Sequence, residues 1–114
     1  MLLIVQFGLG MGVNLYVTLP AHKDFFGTVF GSAALAAHAI LALILLGAAI
    51  SALTRAIRAR RAVVFTSVGL AAILVAAFAG ASFVGSQGNG ASLGMALATA
   101  VAMFCYLGAI FSIR

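Results

Sequence analysis

The sequence predicts an all-α membrane protein: one domain, residues 1–114, in which four transmembrane helices form an up-down-up-down bundle with both termini in the cytoplasm. Three observations favour this fold class. Hydrophobic residues make up 66% of the chain and charged residues only 6%, which leaves too little polar surface for a water-soluble domain. Apolar stretches recur four times along the chain, and a cluster of arginines separates the second stretch from the third.

The four apolar stretches define the predicted spans. They cover residues 2–19, 29–53, 62–84 and 92–113, and each meets or approaches the ~20 residues that a helix needs to cross ~30 Å of hydrocarbon. They lack the polar and apolar alternation of a barrel strand, and lipid cannot satisfy free backbone groups. We therefore expect helices joined by short loops, with no separate soluble domain.

Four arginines determine the predicted orientation. Arg55, Arg58, Arg60 and Arg61 lie in or beside the short loop between the second and third spans, and the positive-inside rule places such a loop in the cytoplasm. Both termini then lie on the same side, in agreement with Arg114 after the fourth span. The pattern predicts a multi-pass protein of the cell (inner) membrane whose arginines contact anionic lipid. An acidic partner docked on them is the alternative.

Composition and charge exclude several classes of function. The net charge of +5 does not indicate nucleic-acid binding, because four of the six cations belong to that one cluster and no groove-reading motif is present. Cys105 is the single cysteine, so it can form neither an intramolecular disulfide nor a cysteine-based metal centre. One aspartate, no glutamate and two histidines supply no familiar catalytic constellation. The sequence therefore predicts no metal site and no enzyme.

His38 interrupts the apolar run LAAHAILALILLG of the second span. An ionisable residue inside a membrane is a candidate functional residue. Counting inward from the predicted outer helix ends places Asn14, His38 and Thr99 at similar depths, roughly 9 to 13 Å. Polar groups in a membrane bundle tend to face inward and pair. We therefore expect these three residues to form a hydrogen-bonded cluster in the outer half of the membrane.

His38 is also the candidate axial ligand of a b-type haem. Small neighbours such as Ala37 and Ala42 would let a macrocycle approach the imidazole. The second ligand is harder to find, because His22 lies in an outer loop and Met11 is the remaining candidate at a suitable depth. Three alternatives for His38 therefore stay open: a structural hydrogen bond, a contact to a proton or ligand, and a bond to haem iron.

Two features of the first span predict its contacts with other helices. Gly8 and Gly12 form a G-x-x-x-G pattern, which favours close helix packing in lipid, either within one chain or between copies. Gln6 lies toward the cytoplasmic end of the same span. We expect its amide to bond to Tyr106 or Cys105 of the fourth span.

The first span also carries a distinctive sequence, VQFGLGMGVNLYVTLP, at residues 5–20. Together with the stretches AHAILALILLGAAISALTRAIRAR and FAGASF, it resembles a family of small, uncharacterised bacterial four-helix membrane proteins. The resemblance covers most of the chain and implies the same four-span fold in a bacterial inner membrane, but no activity. The family pattern has an asparagine before the glycine of FAGASF, where this chain has Ala79.

Three functional classes are compatible with these residues. The sequence favours a structural, assembly or interaction component, whose partners are the lipid bilayer and either a second copy of the chain or another membrane subunit. The alternative is a b-type haem or quinone-linked electron-transfer subunit that uses His38. An oligomeric channel or transporter subunit is the third. No motif names a reaction or a transported species.

Overall fold

The computed structural model describes residues 1–16, 24–86 and 88–114. They form five α-helices: α1 (Leu2–Tyr16), α2 (Phe25–Phe30), α3 (Ala33–Ala59), α4 (Val63–Ser86) and α5 (Asn89–Ile113). No strand occurs in these ranges. The predicted all-α class is confirmed for this part of the chain.

Three of the helices, α3, α4 and α5, are long and apolar enough to cross a membrane. Their outer surface is apolar: Leu43, Phe78 and Phe104 expose 70%, 79% and 75% of their area. An apolar surface of this extent is unfavourable in water and expected against lipid. The molecule is 48 Å long, which exceeds the ~30 Å thickness of the hydrocarbon core. The three long apolar helices and this surface are consistent with a helical membrane protein.

α1 is also apolar, but it is shorter than α3, α4 and α5. Its 15 described residues rise about 22 Å. The predicted first span continues to residue 19, but residues 17–23, including His22, lie outside the described part of the chain.

α1, α3, α4 and α5 stand at the corners of a four-sided arrangement. α1 packs on α3 and α5, and α4 also packs on α3 and α5. Within the described ranges, no Cα atoms closer than 8 Å join α1 to α4 or α3 to α5. α1 and α3 are antiparallel, since Val13 packs against Leu35, whereas Leu3 packs on a cluster that contains Ala49. The two diagonal pairs are therefore held apart.

A core of small residues lies on one side of the midpoint. Ala49, Ala72, Ile73 and Ala102 are buried together, and Ala102 is completely covered. Alanine allows the close backbone approach that holds helices together in lipid. The α3–α4 turn at Arg60, the start of α1 and the end of α5 lie toward this side. We call it the arginine end, and its opposite the far end.

The α4–α5 interface contains two reciprocal contacts between a glycine and an aromatic ring. A Cβ atom at Gly69 would lie 2.9 Å from the Tyr106 ring, and one at Gly108 would lie 2.8 Å from the Phe65 ring. Real Cβ atoms do not approach so closely. Each glycine therefore provides the space that the ring of the opposite helix occupies.

The helix of the second predicted span, α3, begins at Ala33, later than the predicted start at residue 29. Gly31 and Ser32 separate α2 from α3, and the Ser32 side chain accepts a hydrogen bond from the Leu35 N–H at 3.5 Å. This cap favours a helix start at that point. At its other end, α3 continues to Ala59 rather than stopping at residue 53, because its last two turns carry arginines that can extend out of the membrane.

α3 ends in a Schellman motif with an arginine in the usual glycine position. The Arg60 N–H donates to the Ile57 carbonyl and the Arg61 N–H to the Ala56 carbonyl, both at 3.2 Å, which are the two bonds that define the motif. Arg60 has a φ of 51° and Ala62 a φ of 55°. The left-handed region is unfavourable for residues with a Cβ by about 1–2 kcal/mol, so the turn is strained at two positions.

Candidate functional site

A cavity of about 380 Å³ lies between α1, α3, α4 and α5. Its far end is lined by α2 and by the packed side chains of Val13, Leu35 and Phe83. Toward the arginine end it reaches Leu46 and Ile73. A volume of this size falls in the range of small-molecule sites.

Small side chains create the cavity. Ala39 and Ala42 on α3 line it, as do Ala76, Ala77 and Gly80 on α4. None of these side chains is long enough to reach the centre of the four-sided arrangement. Because the diagonal helix pairs stand apart, closer packing does not fill the missing volume. The cavity therefore follows from the small residues on the facing sides of α3 and α4.

Gln6 of α1 donates two hydrogen bonds to His38 of α3. The amide nitrogen of Gln6 is 3.1 Å from the His38 carbonyl oxygen and 3.3 Å from the ring Nε2. An amide nitrogen only donates, so Nε2 accepts and the ring proton of the neutral imidazole lies on Nδ1. In contrast, the hydroxyl bonds described within α3, α4 and α5 return to carbonyls three or four residues back. The Gln6–His38 pair therefore joins two helices.

Gly10 lets the His38 ring lie against the α1 backbone. A Cβ at Gly10 would lie 2.9 Å from the ring Cε1 and 3.6 Å from each ring nitrogen. The nitrogen-bearing edge of the ring therefore faces α1 rather than the centre of the cavity. Among the described residues, the enclosed Nδ1 of His38 and Oε1 of Gln6 have no hydrogen-bond partner. Because these two atoms lack a partner, the pair retains unused hydrogen-bonding capacity. Burying each atom in this state costs about 1–3 kcal/mol.

Asn14 and Thr99, the predicted neighbours of His38, line the same cavity at other levels. Ala102 and Ala49 belong to the same buried cluster. Thr99 is about one turn from Ala102, whereas His38 is about three turns from Ala49. The Thr99 hydroxyl donates to a carbonyl of its own helix at 2.8 Å, and Asn14 is exposed. In the described part of the chain, the hydrogen-bond partner found for His38 is Gln6.

The expectation that Gln6 bonds to Tyr106 or Cys105 is wrong. Its amide binds His38, while the Tyr106 hydroxyl is buried without a partner in the described ranges. Counting depth along separate helices missed the contact, because it ignores which face of α1 meets α3. The usable signal is the buried face of α1, which consists of Gln6, Gly10 and Val13 at the spacing of one helical stripe.

The orientation of the His38 ring bears on haem ligation. An axial ligand needs a ring nitrogen directed at the iron, but both nitrogens lie along α1 and Nε2 accepts from Gln6. Met11, the other candidate ligand, lines the cavity and is 39% exposed. In this arrangement, the residues do not fit an axial haem site.

The four predicted topology arginines lie at the arginine end. Arg55 and Arg58 belong to the last turns of α3, and Arg60 and Arg61 form the turn that follows. All four are exposed. They are therefore free to contact lipid headgroups or water and do not line the cavity.

No protein-family model, curated protein or solved structure matches this chain. The resemblance to the bacterial four-helix family stays a prediction. Ala79, the departure from that pattern, lies at the α4–α5 interface, because a Cβ at Gly94 would lie 3.9 Å from the Ala79 Cβ.

Proposed function

We propose that this chain is a four-span membrane protein, with both termini on the cytoplasmic side, that binds a lipophilic small molecule in its interhelical cavity. The cavity itself carries the proposal: about 380 Å³ of space bounded mostly by apolar side chains and a few polar ones, the usual form of a ligand site. An occupant that packs against this lining would add van der Waals contacts and would therefore stabilise the fold.

The packing of α1 supports the fourth span. α1 runs antiparallel to α3 and is apolar along its described length. Extending it to residue 19, as the sequence predicts, would give a rise of about 27 Å, close to the ~30 Å that a span requires. With the arginine end in the cytoplasm, the start of α1 and the end of α5 lie there as well.

The residues that line the cavity favour a neutral ligand that enters from the bilayer. Phe7, Met11 and Leu43 line the cavity and are also exposed on the outer surface, so the wall is continuous with the lipid-facing side. No charged residue lines the cavity within the described ranges. This lining favours neutral apolar molecules over ions.

Binding of a fluorescent fatty alcohol to the protein in nanodiscs tests the proposal. Ala76→Phe places a ring in the cavity, whereas Ala71→Phe places the same ring on the exposed side of the same helix. Because the ring occupies space that the ligand would fill, the affinity of the Ala76→Phe variant should fall about tenfold or more, a loss of about 1.4 kcal/mol or more in binding free energy. The Ala71→Phe variant should bind like wild type. Equal binding by all three proteins would contradict the proposal.

Assembly with a second copy or another membrane subunit is a second candidate function. The observation that favours it is the outer face of α1. A Cβ built at Gly8 or Gly12 would have no described atom within 4 Å, apart from the backbone of α1 itself. A free G-x-x-x-G face is suited to helix pairing. Gly8→Leu should convert an oligomer in mild detergent to monomer by mass photometry, and a wild-type protein that is already monomeric without a companion would refute assembly.

The electron-transfer alternative is tested by an absorption spectrum. Because the nitrogens of His38 face α1, protein expressed with supplementary haem should be colourless. A Soret band that His38→Ala abolishes would overturn this part of the account and assign haem to the site.

A further inference from the structure

We propose that the occupant of the cavity is a single-chain lipid with a neutral, hydroxyl-bearing headgroup, seated with that headgroup between Asn14 and Ser92 and with its tail directed toward the arginine end. This inference rests on the proposed function, that the cavity binds a lipophilic molecule, and specifies the class of molecule.

The shape of the cavity fits one chain. Leu35 and Leu46 line its opposite ends and lie 11 residues apart on α3, so the cavity extends about 17 Å along the helix. An elongated space of this length suits a ligand with one extended hydrocarbon chain.

The polar groups are concentrated toward the far end. Asn14 follows Val13, which packs with Leu35 there, and Ser92 lies in the first turn of α5. Both line the cavity, and no hydrogen bond of either side chain is found in the described part of the chain. They are therefore available to a headgroup at this end.

Beyond Asn14 and Ser92, the lining becomes mainly apolar. Gln6 and His38 form one further polar level, and the hydrogen bonds between them hold α1 in place. Farther toward the arginine end, the lining consists mainly of Ala42, Ala76, Leu46 and Ile73, and the hydroxyl of Thr99 already donates to its own helix. A molecule with one polar end and one long apolar end matches this gradient.

The lining also indicates the chemistry of the headgroup. It contains no charged residue in the described ranges, so these residues offer a charged headgroup no counter-charge. The Asn14 amide and the Ser92 hydroxyl both donate and accept hydrogen bonds, as a hydroxyl does. Gln6, only 8% exposed, adds the unpartnered acceptor Oε1 to the same wall. A headgroup with carbonyl oxygens alone could not donate to it.

Photolabelling in nanodiscs tests the assignment. The probe is tetradecanol with a diazirine at the end remote from its hydroxyl, and the comparison probe has the same chain without the hydroxyl. We expect the alcohol to label peptides around Leu46 and Ile73. The alkane should label them about tenfold less, as the loss of one or two net hydrogen bonds would give. In the variant that combines Asn14→Leu with Ser92→Ala, labelling by the alcohol should fall to the level of labelling by the alkane.

Blocking variants distinguish the two proposals. Ala76→Phe and, independently, Ala42→Phe should abolish this labelling, while Ala71→Phe and Ala48→Phe, at exposed positions of the same helices, should leave it unchanged. If both probes label the cavity equally, the headgroup assignment is overturned, but the proposal that the cavity binds a lipophilic molecule stands. Labelling confined to the far end, near Phe83, would overturn the orientation. If neither probe labels the cavity, both proposals fall.

Discussion

The Gln6 amide nitrogen lies 3.1 Å from the backbone oxygen and 3.3 Å from the ring Nε2 of His38, so one side chain of α1 binds both the main chain and the side chain of one α3 residue. α1 is the shortest of the four packed helices. In lipid, no water competes for these hydrogen bonds. The pair therefore fixes α1 against α3 and with it one wall of the cavity.

Gln6→Leu should loosen α1. The substitution keeps a side chain of similar length and removes both donors, and an interhelical hydrogen bond in a membrane contributes about 0.6–2 kcal/mol. We expect faster hydrogen–deuterium exchange in α1 in nanodiscs, with α4 and α5 unchanged. Val5→Leu, at an exposed position of the same helix that does not line the cavity, is the control. Unchanged exchange in the Gln6→Leu protein would contradict the role of the pair.

Gly10→Ala should disturb the same interface by a steric route. The added methyl would lie 2.9 Å from Cε1 of His38, and overpacking of this kind costs about 1–3 kcal/mol. Gly8→Ala is the matched control, because its methyl meets no described atom within 4 Å outside its own helix backbone. We expect a lower unfolding midpoint in detergent for Gly10→Ala alone. Equal midpoints for the two variants would show that the ring does not lie on Gly10.

The helical class could be predicted from hydropathy, because the length of an apolar stretch is a property of the sequence itself. The contacts between helices could not. Asn14, His38 and Thr99 have similar calculated depths, but depth does not specify which face of a helix meets its neighbour. His38 instead meets the Gln6 and Gly10 face of α1, and Thr99 lies nearer the arginine end. The cavity, which depends on the spacing of diagonal helices, could not be predicted from any single segment.

Gly108→Ala should weaken the α4–α5 interface. Its methyl would approach the Phe65 ring to 2.8 Å, whereas the methyl of Gly94→Ala would meet the Ala79 Cβ at an ordinary 3.9 Å. We expect Gly108→Ala to lower the free energy of unfolding by about 1–3 kcal/mol, measured by denaturant titration in micelles. Gly94→Ala should be close to wild type. A Gly108→Ala protein as stable as its control would contradict the described packing.

Ala62→Gly should stabilise the protein. Ala62 has a φ of 55°, and glycine adopts this conformation without the penalty of about 1–2 kcal/mol that a Cβ incurs. The change leaves the arginine charges intact. Ala71→Gly, within α4, is the control and should destabilise by about 0.5–1 kcal/mol. Thermal unfolding should move in opposite directions for the two variants, and a loss of stability in Ala62→Gly would contradict the strained turn.

The arginine cluster should control orientation. Replacing Arg55, Arg58, Arg60 and Arg61 with serine removes the positive charge between the second and third predicted spans, so a reporter fused to the C-terminus should shift in part from the cytoplasm to the outside. Arg114→Ser should leave the reporter in the cytoplasm. An unchanged reporter position in the fourfold variant would mean that other features set the topology.

Native mass spectrometry of the protein released from membranes tests most directly whether the cavity holds a lipophilic molecule. We expect one bound lipophile per chain in wild type and in Ala71→Phe, and its loss in Ala76→Phe, whose ring would occupy the cavity. A wild-type chain without any bound molecule, or an Ala76→Phe chain that retains the same molecule at the same occupancy, would contradict it.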